Sequence, residues 1–354
     1  MYHRTTLPLV SLMLIVAVLA LLGLGLFAIA RIDVWGQHGS GLPKAFSYDI
    51  KDYQKTDPAL IGYRETGKIA LKLLDPRAVA VGPDNRIYVA GGRAIQIFNP
   101  GGSRDGEIVL DIEPRCLAVA GTAHSSPDRI YVGTNTHVEV FDSDGARLAV
   151  WEQPGPKSQI TSIALAEDAV FVADAGERVV LRYDLAGKLL GRIGGRDDRD
   201  NLPGFIVPSP YFDVAIAPDG LLRVVNTGVL RVETYTLDGT LQSAWRGQPS
   251  VAIRGFSGCC NPAHIAILPN GNIVTAEKGL PRVKVYTNGG EFVCVVAGPE
   301  SFLPTATAAV ETRDEHKLKV IAVATDSHGR VLVLDPGRRS VRIFEPKESL
   351  GGTP

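Results

Sequence analysis

A chain of 354 residues, 45% of them apolar, has enough length for one large buried core or two small ones. Its 37 basic and 38 acidic side chains leave a net charge of −1, without the basic surplus that broad nucleic-acid binding requires. The 38 glycines and 23 prolines, with helical periodicity confined to the N-terminus, favour many short strands joined by turns.

Residues 1–6 form a short stub carrying His3 and Arg4. The adjoining run, 7–30, is uncharged and mostly apolar, with Arg31 behind it. As a helix it reaches about 36 Å at ~1.5 Å per residue, enough to cross a ~30 Å hydrocarbon core. It reads as an uncleaved transmembrane signal-anchor, because the apolar region of a signal peptide runs only ~7–15 residues. The alternative is a cleaved signal peptide ending at the small-residue site Ala28-Ile-Ala30. Basic residues flank both ends, so orientation rests on the short stub, which favours placing the rest of the chain outside the cytoplasm, periplasmic or extracellular. Either N-terminal reading exports the remainder of the chain. Residues 31–62 form a polar juxtamembrane linker.

From residue 63 the chain writes one phrase repeatedly. A strand-like run at 63–74 precedes six units, each an apolar strand, a turn of Asp, Asn, Gly or Pro, and a second apolar strand. The phrase reads Ala78-Val-Ala-Val-Gly-Pro-Asp-Asn-Arg-Ile-Tyr-Val89 in the first unit and Asp213-Val-Ala-Ile-Ala-Pro-Asp-Gly-Leu-Leu-Arg-Val224 in the fourth. A third, alternating strand comes next and ends in an aromatic: Phe98, Phe141, Tyr183, Tyr235, Tyr286 and Phe344. Turns at Asp144-Gly145, Asp238-Gly239 and Gly289-Gly290 introduce a fourth strand. Four strands per unit at a period near ~40–50 residues predict an all-β, six-bladed β-propeller over 63–346, with a tail at 347–354. The last unit stops after its third strand, so 63–74 is expected to supply its outer strand and close the ring, removing the free edges.

The units resemble the NHL repeat, whose pattern runs Ile-Ala-Val-x-Pro-Asp-Gly, an apolar strand, then Arg-Val-x-x-Tyr and a Gly turn. The match covers roughly 67–346 and is loosest in the second unit, where 122–127 interrupts the turn. The resemblance implies a six-bladed propeller of the kind that serves as a binding module.

Three long insertions, 194–210, 246–262 and 297–319, connect the last strand of one unit to the first of the next. All such connections emerge on one face, so these three are expected to build a wall over the central channel, where loops on a rigid scaffold carry function. The residue opening each innermost strand reads Ala78, Cys116, Ser162, Asp213, His264 and Ala322, and the one before it Arg77, Arg115, Thr161, Phe212, Ala263 and Ile321. Asp213 and His264 are ring neighbours, a pairing that serves a structural hydrogen bond, a proton transfer or a metal. Arg77 and Arg115 are placed to ring the mouth and attract an anion. The acceptors at the second-strand ends (Thr134, Asp174, Asn226, Glu277 and Asp335) are expected to cap turns.

The segment Gly258-Cys-Cys-Asn-Pro-Ala-His264 leaves several pairings open: a Cys259–Cys260 bond, either of these with Cys294, buried free thiols, or a transition-metal site of Cys259, Cys260 and His264. No cofactor is firmly indicated. There is no Gly-x-Ser-x-Gly elbow, phosphate loop or His-Glu-x-x-His. The sequence therefore predicts a membrane-anchored binding or scaffold module for a protein, peptide or glycan, not a nucleic acid. Its alternative is a metal- or redox-dependent enzyme using the fifth unit's Cys259, Cys260 and His264 with Asp213.

Overall fold

The protein is described by a computed structural model covering residues 9–31, 53–195, 204–258, 260–302 and 320–347. The chain divides into two units, Met1–Asp52 and Tyr53–Pro354. In the first, the apolar run forms helix α1, Leu9–Arg31. Its described side chains, 11–24, are nearly all exposed. Among the described residues no helix is long and apolar enough to cross a membrane, so the expected span over 7–30 is not established by the structure.

The second unit is a six-bladed β-propeller of six four-stranded antiparallel sheets. Strand β1, Tyr63–Ala70, comes first and belongs to the last blade. Blade 1 comprises β2 (Pro76–Val81), β3 (Ile87–Gly91), β4 (Ala94–Phe98) and β5 (Arg104–Val109). Blade 2 comprises β6 (Cys116–Val119), β7 (Ile130–Gly133), β8 (Val138–Phe141) and β9 (Arg147–Val150). Blade 3 comprises β10 (Ile160–Leu165), β11 (Val170–Asp174), β12 (Val179–Tyr183) and β13 (Leu189–Ile193). Blade 4 comprises β14 (Val214–Ile216), β15 (Leu222–Asn226), β16 (Arg231–Tyr235) and β17 (Leu241–Arg246). Blade 5 comprises β18 (His264–Ile267), β19 (Ile273–Glu277), β20 (Arg282–Tyr286) and β21 (Phe292–Ala297). Blade 6 comprises β22 (Ala322–Thr325), β23 (Val331–Asp335) and β24 (Ser340–Pro346), with β1 as its outer strand.

The ring closes as the repeat count demands. Ile69 pairs with Val341 and Tyr63 with Pro346 across β1–β24, so the N-terminal strand supplies the edge the last unit lacks. The strand is shorter than the expected 63–74, ending at Ala70, with Leu71 held by a single bond to the Arg339 carbonyl.

Because the two inner strands of a blade are apolar on both faces, the blades bury them against each other. The core is a series of layers between neighbouring blades. One layer joins blades 1 and 2 through Tyr88, Ile95, Ile130 and Phe141, and another joins blades 3 and 4 through Phe171, Phe212 and Tyr235. Blades 6 and 1 are joined in the same way by Ile69, Phe98, Leu332 and Val341.

Candidate functional site

The innermost strands surround a channel whose wall contains all six residues of the expected ring, Ala78, Cys116, Ser162, Asp213, His264 and Ala322. This inner cavity measures about 220 Å³. An outer cavity of about 240 Å³ opens above it and shares Arg77, Arg115, Thr161 and His264 with the channel wall.

Local backbone geometry explains which of the preceding residues reach the channel. In blade 1 the β2–β3 register jumps from Pro76–Gly91 to Ala78–Ala90, leaving Arg77 in a bulge. Blade 3 repeats the device, with Thr161 between the pairs Ile160–Asp174 and Ser162–Ala173. An extra residue in one strand turns its side chain out of the normal alternation, so both Arg77 and Ala78 face the channel. Arg115 precedes β6 and lines the same space. Phe212, Ala263 and Ile321, at the equivalent place in the other three blades, are buried in the blade packing instead.

Asp213 and His264 meet across the blade 4–blade 5 boundary. His264 Nδ1 lies 3.2 Å from Asp213 Oδ2. The same carboxylate accepts from the N–H of Ile265 at 2.8 Å and, through Oδ1, from the N–H of Val214 at 2.9 Å. Asp213 is 7% exposed, so its charge is carried by these donors rather than by water. The bond fixes the ring of His264 and leaves its Nε2 as the nitrogen not engaged by Asp213. Tyr211 stands perpendicular to the imidazole with ring centres 6.1 Å apart and also lines the outer cavity, and Lys278 places its ammonium 4.8 Å above the Tyr211 ring.

Arg77 is held by Asp75, which lines the same outer cavity: its Nε and Nη2 lie 2.8 and 2.7 Å from Asp75 Oδ2. Arg115 is exposed, and its guanidinium has no hydrogen bond or ion pair among the described residues. Asn135 and Gln159 add polar residues to the lining, and Pro76, Ile160, Pro210, Val320 and Pro336 form its apolar part. Sequence reasoning missed Tyr211, Asn135 and Gln159, because they lie on connections outside the repeated phrase.

The expected wall of long loops takes a different form. The described part of 246–262 contributes nothing to either cavity lining. It folds against the outer side of the blade 4–blade 5 boundary, where Phe256, 0% exposed, packs with Leu230, Trp245 and Tyr286. The reason is an anchor set on blade 5. Arg282 donates to the carbonyls of Val251 and Gly255 at 2.8 and 2.9 Å, and the Ser257 N–H donates to Glu277 Oε2 at 2.9 Å. From 194–210 only Pro210 reaches the outer cavity among the described residues, and 303–319 lies outside them. The second-strand acceptors do more than cap turns. Asp174 holds the N–H of Gln159 as well as those of Gly176 and Glu177, and Asn226 holds the N–H of Ile206. Each pins an incoming connection to its blade.

Cys116 and Cys294 are buried free thiols. Burial pushes both upward, Cys294 to about 11, and the nearby Asp213 carboxylate raises Cys116 further. Neither therefore presents a thiolate near neutral pH. Cys260 is buried, and Cys259 lies outside the described residues. Among the described residues no group of three or more His, Cys, Asp or Glu side chains could hold a metal ion.

No family model matches the chain, and no curated protein matches its sequence. Solved structures do match in fold. Virginiamycin B lyase from Staphylococcus aureus superposes with a TM-score of 0.53 at 12% identity, over 80% of this chain and 100% of that one. A catalytically inactive form of the same lyase with quinupristin gives 0.52 at 13% identity, with the same coverage. The WD40 β-propeller domain of Doa1 gives 0.50 at 14% identity, over 77% of this chain and 80% of that one. At these identities the likeness shows the propeller fold alone.

Proposed function

We propose that this chain is an NHL-type propeller acting as a binding module, tethered by α1 with the propeller outside the cytoplasm, and that a protein, peptide or glycan ligand docks at the channel mouth. The observation that carries the binding reading is the convergence of Arg77, Arg115 and His264, from three different blades, on one open cavity of about 240 Å³. Asp75 holds the guanidinium of Arg77 and Asp213 holds the ring of His264 before a ligand arrives, which lowers the ordering cost of binding at those two groups. The tether rests on the uncharged apolar run 7–30.

The test is to display the full chain, in detergent, on arrays of peptides and glycans, beside Arg77→Gln and Arg115→Gln. Ligands that bind the parent and are lost in both variants support the reading. Ligands that bind all three alike place recognition elsewhere. Resistance of the membrane-bound protein to alkaline carbonate extraction, with the propeller accessible to protease from outside, tests the tether.

A second reading is favoured by the Asp213–His264 hydrogen bond. A carboxylate that fixes one imidazole nitrogen leaves the other to exchange a proton with a substrate in the channel. Under that reading His264→Ala abolishes turnover while leaving ligand retention intact, and elemental analysis of the full chain shows whether a transition metal accompanies it.

A further inference from the structure

We propose that the channel mouth is a receptor for the free C-terminal carboxylate of a peptide chain; this rests on the binding-module reading above and names its ligand.

The charge arrangement selects a monoanion. Arg77 is paired at 2.7 Å with Asp75, which shares the lining, and lies 3.9 Å from Glu113, so the uncompensated positive charge in the lining is Arg115. Opposite it, on blades 4 and 5, stands Asp213 with His264. A dianion such as a phosphate monoester would meet one free guanidinium and the carboxylates of Asp75 and Asp213, whereas a single carboxylate matches the one charge of Arg115. Guanidinium is the cation whose fork fits a carboxylate through two parallel hydrogen bonds. Arg77 occupies the equivalent position in the adjacent blade, its guanidinium held by Asp75.

The rest of the cavity favours a peptide end over a sugar acid. The side-chain amides of Asn135 and Gln159 supply both donors and acceptors, the pair of functions a backbone amide needs. Pro210 and Val320 provide apolar surface for a terminal side chain. Tyr211, the tyrosine in the lining, has one face under the Lys278 ammonium and stands perpendicular to the His264 ring, which leaves it one face fewer to stack on a sugar ring.

The experiment uses the full chain in detergent and a pool of short, N-terminally labelled peptides of random sequence, made once as C-terminal acids and once as C-terminal amides, read by fluorescence anisotropy. The acid pool is expected to bind at least about tenfold more tightly than the amide pool. Arg115→Gln should erase that difference and Arg115→Lys restore part of it, since ammonium keeps the charge without the fork. Arg115 is exposed, so the variants should melt like the parent; Gln159→Ala, which spares the charge, should weaken both pools alike. Equal binding of acid and amide, or a preference that survives Arg115→Gln, overturns the proposal. So does displacement of the peptides by acetate or N-acetyl amino acids at matching concentration, which would make this a site for small free acids. An array ligand that needs the channel mouth but no carboxylate sinks the C-terminus assignment and leaves the binding module standing. Absence of any ligand that depends on the mouth removes both.

Discussion

Lys284 is 0% exposed, on the third strand of blade 5, with its ammonium 2.7 Å from Glu277 Oε1 and 2.5 Å from the Gly255 carbonyl. Arg282 already holds both oxygens of Glu277, at 2.8 and 3.0 Å, so the three buried charges sum to one excess positive. Desolvation lowers the Lys284 ammonium from its ordinary 10.5 to about 8. Between those values the unfolded chain binds a proton that the folded chain has released, so stability rises with pH. The lysine's contribution should rise from about 8 to about 10, opposed in the same range by the buried Cys116 and Cys294 thiols and by Tyr286, which stay protonated while their unfolded counterparts ionise. Urea denaturation at pH ~7.5 and again at pH ~9.5, on the parent and on Lys284→Met, should show the parent gaining stability relative to the variant across that window. Lys284→Met, which keeps the Glu277–Arg282 pair, should lose that gain and be no less stable at neutral pH. A variant whose pH response matches the parent's would place the titration elsewhere. The alternating strand Val283-Lys-Val-Tyr286 was legible in the sequence. That its lysine points into a buried loop anchor was not, because the partner segment 251–257 is a connection with no repeat pattern.

At the scale of elements, blades 1 to 4 each tuck a large side chain, at or just past the outer strand, beneath the glycine turn of the next blade. A Cβ at Gly187 would stand 2.4 Å from the Trp151 ring, and one at Gly290 would stand 2.4 Å from Trp245. Ile108 meets Gly145, and Ile193 meets Gly239, in the same way. Gly187 also has φ +88, where a side chain is strained. Gly187→Ala therefore combines overpacking with backbone strain and should cost about 1–3 kcal/mol or more. Thermal or urea denaturation reads this directly; a neutral variant would show that the Trp151 contact gives way freely. The sequence announced Gly145, Gly239 and Gly290 as hairpin signals. It did not announce the second reason for them, which is the neighbour's side chain arriving from across the blade boundary. The outer strand of blade 1, Arg104–Val109, went unnamed in the sequence for a related reason: its exposed, charged start carries little apolar alternation.

The whole molecule depends on one closure. The N-terminal strand joins the last blade, and its Ile69 then lies beneath the turn at Gly102 of the first blade, with 3.0 Å to a Cβ built there. Arg342 reinforces the join, donating to Glu65 Oε1 at 2.9 Å and to Oε2 at 2.5 Å. The Arg342 hydrogen bond holds Glu65 below its ordinary 4.5 despite partial burial. A carboxylate lowered in this way contributes stability that is present above the unfolded value and lost as pH falls below about 4.5. Glu65→Gln should therefore be less stable than the parent at neutral pH, with the gap narrowing toward pH ~3. A gap that stays constant with pH would assign the loss to packing alone. Ile69→Ala, which empties a 5% exposed site in the layer between blades 6 and 1, should cost about 2–5 kcal/mol at either pH.

The sequence by itself determined the number of blades, the strand phrase within each, the need for 63–74 to close the ring, and the six positions that open onto the channel. These rest on local chemistry, since period-two apolar patterning, turn residues and a fixed repeat act over a few neighbours at a time. Only the tertiary structure decided that bulges turn Arg77 and Thr161 inward while Phe212, Ala263 and Ile321 turn away, and that the described part of 246–262 lines neither cavity and buries Phe256 against blades 4 and 5. It also decided that Tyr211, Asn135 and Gln159 join Arg115 in the lining. Those outcomes depend on which side chains from different blades reach the same space, and that proximity is created only when the ring closes.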